Sequence, residues 1–191
     1  MTRILVFAGS ARTGSSNQQL ATVAAAQLRE AGASVTHIDL RDHELPLYDG
    51  DLEAASGLPS AVQALKELFL AHDGLLIACP EYNGSITPLL KNTLDWISRP
   101  AAGEAPLAAY AGKVAGLVSA SPGAIGGLRG LVHVRAILSN LGVLVVPAQF
   151  CLGGAYQAFA EDGTLTDPGS TKRLAAVVTQ LVATTRGLTA G

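Results

Sequence analysis

Phe7-Ala8-Gly9-Ser10-Ala11-Arg12-Thr13-Gly14-Ser15-Ser16-Asn17 follows a short apolar run from Ile4 to Phe7. It precedes an amphipathic run carrying Leu20, Val23, Ala24 and Leu28. Strand, small polar loop and helix, in that order, is how α/β proteins build a phosphate pocket from backbone N–H groups and a helix start. The loop adds hydroxyls at Ser10, Thr13, Ser15 and Ser16 and a guanidinium at Arg12, with the helix starting near Asn17. The dinucleotide pattern G-x-G-x-x-G lacks its second glycine here, and no Gly-Lys-Ser/Thr follows. Such a loop suits a phosphate monoester that is held permanently and not turned over.

Outward from this stretch, apolar runs of strand length recur at 3–8, 34–38, 74–79, 113–119 and 143–147. Most are continuous, as in parallel strands covered on both faces. Helical periodicity fills the gaps at 17–31, 59–71, 87–98, 126–141 and 168–186, with Gly32 and Gly142 where C-terminal caps belong. The pattern predicts an α/β fold: a doubly wound, five-stranded parallel sheet with helices on both faces. Of the two common strand orders, the early phosphate loop and the count of five favour 2-1-3-4-5. With no repeat and no linker, residues 1–191 read as a single domain. Segments 42–58 and 100–112 read as long connections, and 148–167 as irregular with room for a short strand pair.

The chain has 191 residues, 49% of them apolar and 15% charged, with a net charge of −2. Disorder is excluded, and one face is expected to be buried in an oligomer. The charge balance predicts no nucleic-acid partner and no attraction to anionic lipid. No apolar run approaches the roughly 20 residues of a membrane span. Met1-Thr2-Arg3 leads straight into a strand, too short for a signal peptide. Cys79 and Cys151 form no C-x-x-C pair, which suits a reducing, cytoplasmic setting. His37, His43, His72 and His133 show no ligand spacing, so no metal is expected.

In an open α/β sheet, ligands sit outside the carboxyl ends of the strands. Two further loops should therefore face the first. Cys79-Pro80-Glu81-Tyr82-Asn83-Gly84-Ser85-Ile86-Thr87-Pro88 brings an aromatic plane and turn formers; Ser119-Ala120-Ser121-Pro122-Gly123-Ala124-Ile125-Gly126-Gly127 is small and backbone-rich. A flat heteroaromatic ligand carrying one phosphate fits a phosphate cup between an aromatic and a glycine-lined wall.

G-S-A-R-T-G-S-S-N (9–17) together with P-E-Y-N-G-S-I-T-P-L-L-K-N-T-L-D-W-I-S-R-P (80–100) resembles the NADPH-dependent FMN reductase family. So do S-A-S-P-G-A-I-G-G (119–127) and L-P-L-Y-D-G-D-L-E (45–53). The resemblance covers roughly the first 150 residues. It implies a flavodoxin-like fold, non-covalent FMN, NADPH or NADH as hydride donor, and a homodimer or homotetramer. A small-molecule acceptor such as a quinone, free flavin, azo compound or chromate would follow the nicotinamide in a ping-pong cycle. Carried onto this chain, Gly9, Ser10, Arg12, Ser15, Ser16 and Asn17 would form the phosphate site. Pro80, Glu81, Tyr82, Asn83 and Gly84 would lie along the ring and ribityl chain, and Ser119, Ser121 and Gly123 would line its other side. Ser16 stands where relatives often place a larger residue. FMN carries the chemistry, so no catalytic acid or nucleophile is required. The alternatives are a flavodoxin-type electron carrier, which the charge of −2 disfavours because flavodoxins are strongly acidic, and a non-enzymatic FMN-binding protein.

Some residues also have plainer readings. Ser15 and Asn17 can cap a helix, Asn83 can supply a left-handed turn, and the backbone of Glu81 is a safer ligand contact than its side chain. Lys91 and Asp95 form an i,i+4 pair, and Cys79 reads as a small buried hydrophobe. Trp96 and Arg99 suggest a subunit contact or the nicotinamide entrance, and Arg135 an interface ion pair.

Overall fold

A computed structural model describes residues 1–189. Its strands are β1 (Arg3–Ala8), β2 (Ser34–His37), β3 (Gly74–Ala78), β4 (Glu81–Tyr82), β5 (Ser85–Ile86), β6 (Val114–Ala120) and β7 (Leu144–Leu152). Its helices are α1 (Ser16–Glu30), α2 (Gly50–Ser56), α3 (Ser60–Ala71), α4 (Pro88–Ser98), α5 (Leu128–Asn140) and α6 (Pro168–Thr189). Five strands pair in parallel in the order β2-β1-β3-β6-β7, while β4 and β5 form a separate antiparallel hairpin. With the hairpin set aside, this is the expected 2-1-3-4-5 order.

Alternation along β1 divides the core. Ile4, Val6 and Ala8 face α1 and α6, packing with Leu20, Leu28, Val177 and Leu181. Leu5 and Phe7 face the other layer, with Leu65, Phe69, Leu94 and Leu131 from α3, α4 and α5. All five residues of β3 are buried, so the middle of the sheet reads as one apolar run. Each fully buried leucine contributes on the order of 2 kcal/mol, and the carboxyl ends of the strands are thereby held as a rigid rim.

Three expectations need correction. Residues 42–58 are not wholly a connection, because α2 forms there with the Asp49 carboxylate accepting from Asp51 N at 2.8 Å. α2 buries none of its residues, so it left no apolar stripe to read. The last strand continues through Leu152 instead of ending at 147. Pro147 lacks a ladder N–H, and the pairing jumps from Ala115↔Val145 to Leu117↔Gln149 across the irregularity. Beyond it, 148–152 are strand, and only the bridge Phe159↔Leu165 remains of the short pair. Finally, α5 starts at Leu128, since Gly126 and Gly127 are left-handed (φ +61° and +86°).

Trp96, Arg99 and Arg135, expected at subunit contacts, also make contacts within the chain. Trp96 is fully buried, and its Nε1 donates to Pro46 O at 2.7 Å. Arg99 donates to Glu53 and lies over the Tyr48 ring. Arg135 donates to the carbonyls of Val145 and Val146 and to Gln149 Oε1, bracing the irregular part of β7. Lys91 and Asp95 do pair, on the surface of α4.

At the opposite end of the sheet, Asp73 accepts from Arg3 N and Nε. The hydrogen bond from Arg3 holds the Asp73 carboxyl below the ordinary aspartate value of 3.8. A carboxyl depressed by folding stabilises the native state above its unfolded value and loses that contribution as pH falls through the folded one. Asp73→Asn should therefore flatten the stability profile below about pH 4, read from urea midpoints between pH 3 and 7. An unchanged profile would remove Asp73 from acid unfolding.

Candidate cofactor site

The polar loop after β1 is set by short-range bonds. Ser15 N donates to Arg12 O, Ser10 Oγ accepts from Arg12 N at 3.3 Å, and Gly14 takes φ +68° where the chain turns. Ser15 occupies the N-cap position of α1, yet its hydroxyl makes no capping bond. The first helical bond is Gln19 N to Ser15 O. The N–H groups of Ser16, Asn17 and Gln18 thus have no backbone acceptor among the described residues, at the helix end that carries about half a positive charge. Buried Ser15 and Ser16 set their hydroxyls beside them, and exposed Arg12 reaches only Gly14 O, at 3.4 Å. Three free amides, two hydroxyls and a guanidinium are a donor set for one phosphate.

Asn17 has a different task. Its Nδ2 donates to Ala120 O at 2.8 Å and its Oδ1 accepts from Ala120 N at 3.0 Å. The side chain joins α1 to the end of β6, and only its backbone N–H is left for a ligand. Thr87 makes a similar tie: it caps α4 and donates to Gly9 O at 2.7 Å. Gly9 is required there, because a Cβ would lie 2.9 Å from Leu90 Cβ.

The second loop is the β4–β5 hairpin. Asn83 (φ +51°) and Gly84 (φ +80°) form its two-residue turn, the geometry that Asn-Gly favours. The Glu81 carboxylate accepts from Gly130 N and Arg129 Nε, both at 3.1 Å, fastening the hairpin to the start of α5. Tyr82 is left half exposed.

The third loop is held by Ser121, whose N–H donates to Leu152 O and whose carbonyl accepts from Ala155 N; its Oγ accepts from Gly123 N. Behind it, Gly126 and Gly127 pass against β6 and β7. A Cβ on Gly126 would meet the backbone of Cys151 and Leu152 at 2.8 Å, and one on Gly127 would lie 2.0 Å from Ser119 Oγ. That hydroxyl is fully buried and has no hydrogen-bond partner among the described residues.

The three loops enclose an open cleft of about 290 Å³. One end is lined by Ser10, Arg12, Ser15, Ser16 and Asn17, and its other walls by Pro80, Glu81, Tyr82 and Ser121. Among the remaining expected residues, Gly9, Asn83, Gly84 and Gly123 shape the backbone behind these walls. Ser119 lies beneath the wall and not on it. The sequence reading missed Ala120, Pro122 and Tyr156, which also line the cleft. Gly153-Gly154 gave a turn signal before Tyr156 but nothing to aim that turn at this site. Burial pushes the Cys79 thiol far above its ordinary value and raises Cys151 as well, so both stay protonated.

A larger cleft, about 710 Å³, lies between α2, α3 and residues 100–104. It is away from the strand carboxyl ends, and its Lys66 is already engaged by Glu104 and Arg99 O. Among the described residues there is no cluster of metal-ligating side chains, and no helix is long and apolar enough to cross a membrane.

Residues 2–157 match the family described as NADPH-dependent FMN reductase. The chain belongs to that family. It is 37% identical over 171 residues to a probable NADPH:quinone oxidoreductase 2 of Oryza sativa subsp. japonica, covering 87% of this chain and 80% of the relative. It is 34% identical over 179 residues to a quinone reductase of Escherichia coli K12, covering 93% and 92%. Among solved structures, the flavoenzyme NAD(P)H:(acceptor) oxidoreductase FerB of Paracoccus denitrificans superposes with a TM-score of 0.81, at 27% identity and 98% coverage of both chains. The protein is thus an NAD(P)H-dependent oxidoreductase of the FMN reductase family with a flavodoxin-like fold, and FMN is its cofactor. The donor set at the start of α1 fits the phosphate of that cofactor.

Proposed function

We propose that this family member reduces quinones with NAD(P)H in a ping-pong cycle at the cleft between the three loops. The observation that carries the reading is the pairing of a phosphate-donor cup with an open aromatic rim. When bound, FMN would supply the hydride-transfer chemistry between nicotinamide and acceptor. Ser15, Ser16, Arg12 and the first amides of α1 hold its phosphate. Pro80, Tyr82 and Ser121 would orient its ring, and the open rim would leave room for donor and acceptor in turn. The relatives named for quinone reduction support that acceptor class.

The same reading makes the protein cytoplasmic and a homodimer or homotetramer. Ile125, Leu128 and Val132 form an exposed apolar stripe at the start of α5, next to the hairpin that Glu81 fastens, and a second copy would cover it. Initial rates with NADPH and 1,4-benzoquinone varied together test the cycle. Parallel double-reciprocal lines are expected. Intersecting lines would exclude ping-pong, and FMN-loaded protein without turnover would leave a flavin-binding protein.

A further inference from the structure

Tyr156 is a large aromatic residue that the fold leaves 72% exposed. Its backbone is nonetheless fixed. Ala155 N donates to Ser121 O at 3.1 Å, Gln157 N closes the short 3-10 turn 155–157 onto Gly154 O, and left-handed Gly154 sets the bend. Gly153 packs closely on the neighbouring loop, since a Cβ there would lie 2.5 Å from Ala124 O. The ring therefore projects from a rigid base, and its hydroxyl has no hydrogen-bond partner among the described residues. Tyr82 comes to the same cleft from the hairpin, 53% exposed and equally without a hydroxyl partner.

We infer that Tyr156 is a specificity-determining residue for the acceptor, forming with Tyr82 an aromatic rim that favours flat, conjugated quinones over small or non-planar oxidants. The assignment rests on the proposed quinone reduction. Leaving two tyrosine rings in water is unfavourable for the free protein, and a planar ligand is what recovers that surface. Stacking on a tyrosine is sequence-independent chemistry: it needs only a π-face and adds about 0.5–1.5 kcal/mol beyond buried area, which is roughly 2- to 12-fold in affinity. The hydroxyl does not enter the argument, so phenylalanine should substitute for it.

The test uses FMN-loaded wild type, Tyr156→Ala and Tyr156→Phe with menadione and ferricyanide as acceptors. Menadione binding to each oxidised holoprotein is measured separately by calorimetry without a donor. Tyr156 is exposed and unbonded, so both variants should fold. Tyr156→Ala should weaken menadione binding and lower the ratio of kcat/KM for menadione over ferricyanide, each by about 2- to 12-fold, and Tyr156→Phe should restore both. An alanine variant with wild-type menadione affinity and ratio would overturn the assignment. A kcat/KM for NADPH that falls as much as that for menadione would do so too, because the ring would then not select for the acceptor. Dissociation of the alanine variant in light scattering would instead assign Tyr156 to a subunit contact. Wild type that binds menadione but turns over neither acceptor would overturn quinone reduction while leaving the aromatic rim standing.

Discussion

Gly127→Ala should cost about 2–4 kcal/mol of stability and weaken FMN binding at least tenfold, read from urea midpoints and from flavin fluorescence titration. Two effects add. The backbone at Gly127 lies at φ +86°, where any Cβ is strained by about 1–2 kcal/mol. That Cβ would also sit 2.0 Å from Ser119 Oγ and 3.1 Å from Ser119 Cβ, in a place where Ser119 has no solvent to retreat into. The start of α5 would be displaced, and Gly130 N with it, loosening the hairpin that Glu81 fastens. Ser119→Ala is the informative partner. Alone it removes a buried hydroxyl that has no hydrogen bond, so stability should hold or rise by about 1 kcal/mol. Combined with Gly127→Ala it should restore only part of the loss, because the left-handed strain persists. Full rescue would show that the clash is everything; a Gly127→Ala protein as stable as wild type would refute both terms.

Asn17→Asp should lower FMN affinity roughly 30- to 150-fold, more than Asn17→Ala does. The alanine variant leaves Ala120 N–H and C=O without their partner beneath the cleft, which costs on the order of 1–3 kcal/mol for each group. Its main effect is on stability, and through the displaced end of β6 on the cofactor. The aspartate variant keeps an acceptor for Ala120 N but sets a carboxylate in the first turn of α1, beside the free amides that fit the phosphate. A like-charge opposition of that kind costs about 2–3 kcal/mol in a partly buried site. The same carboxylate also puts an oxygen where Nδ2 donated to Ala120 O, so Asn17→Asp should lose stability as well as being the weaker binder. Equal FMN affinity in the two variants would detach Asn17 from the phosphate site altogether.

Most of the sheet was legible because its strands are covered on both faces. A run such as Leu75-Leu76-Ile77-Ala78 has no polar alternation to confuse with a surface strand, and the five runs appear in the right order. The elements that were missed buried too little or broke their own pattern. α2 has no buried face, and Pro147 divides β7 so that its second half reads as loop. Trp96 and Arg135 also have partners within the chain that no local pattern announces. A ring or a guanidinium on an apolar helix looks unpartnered until the fold delivers Pro46 O or the carbonyls of β7.

The sequence by itself determined the polar loop before α1, the order of the strands and the family. Gly14, Asn83 and Gly84 are local requirements of backbone conformation, and hydroxyls clustered before a helix state their own chemistry. Only the tertiary structure decided which of those side chains remain free for a ligand. It gave the Asn17 amide to Ala120, buried Ser119 under Gly127, spent Glu81 on α5, and brought Tyr156 from more than 70 residues beyond Tyr82 to the same cleft. Hydrogen-bond partners and burial are set by contacts between distant segments, and no local pattern specifies them.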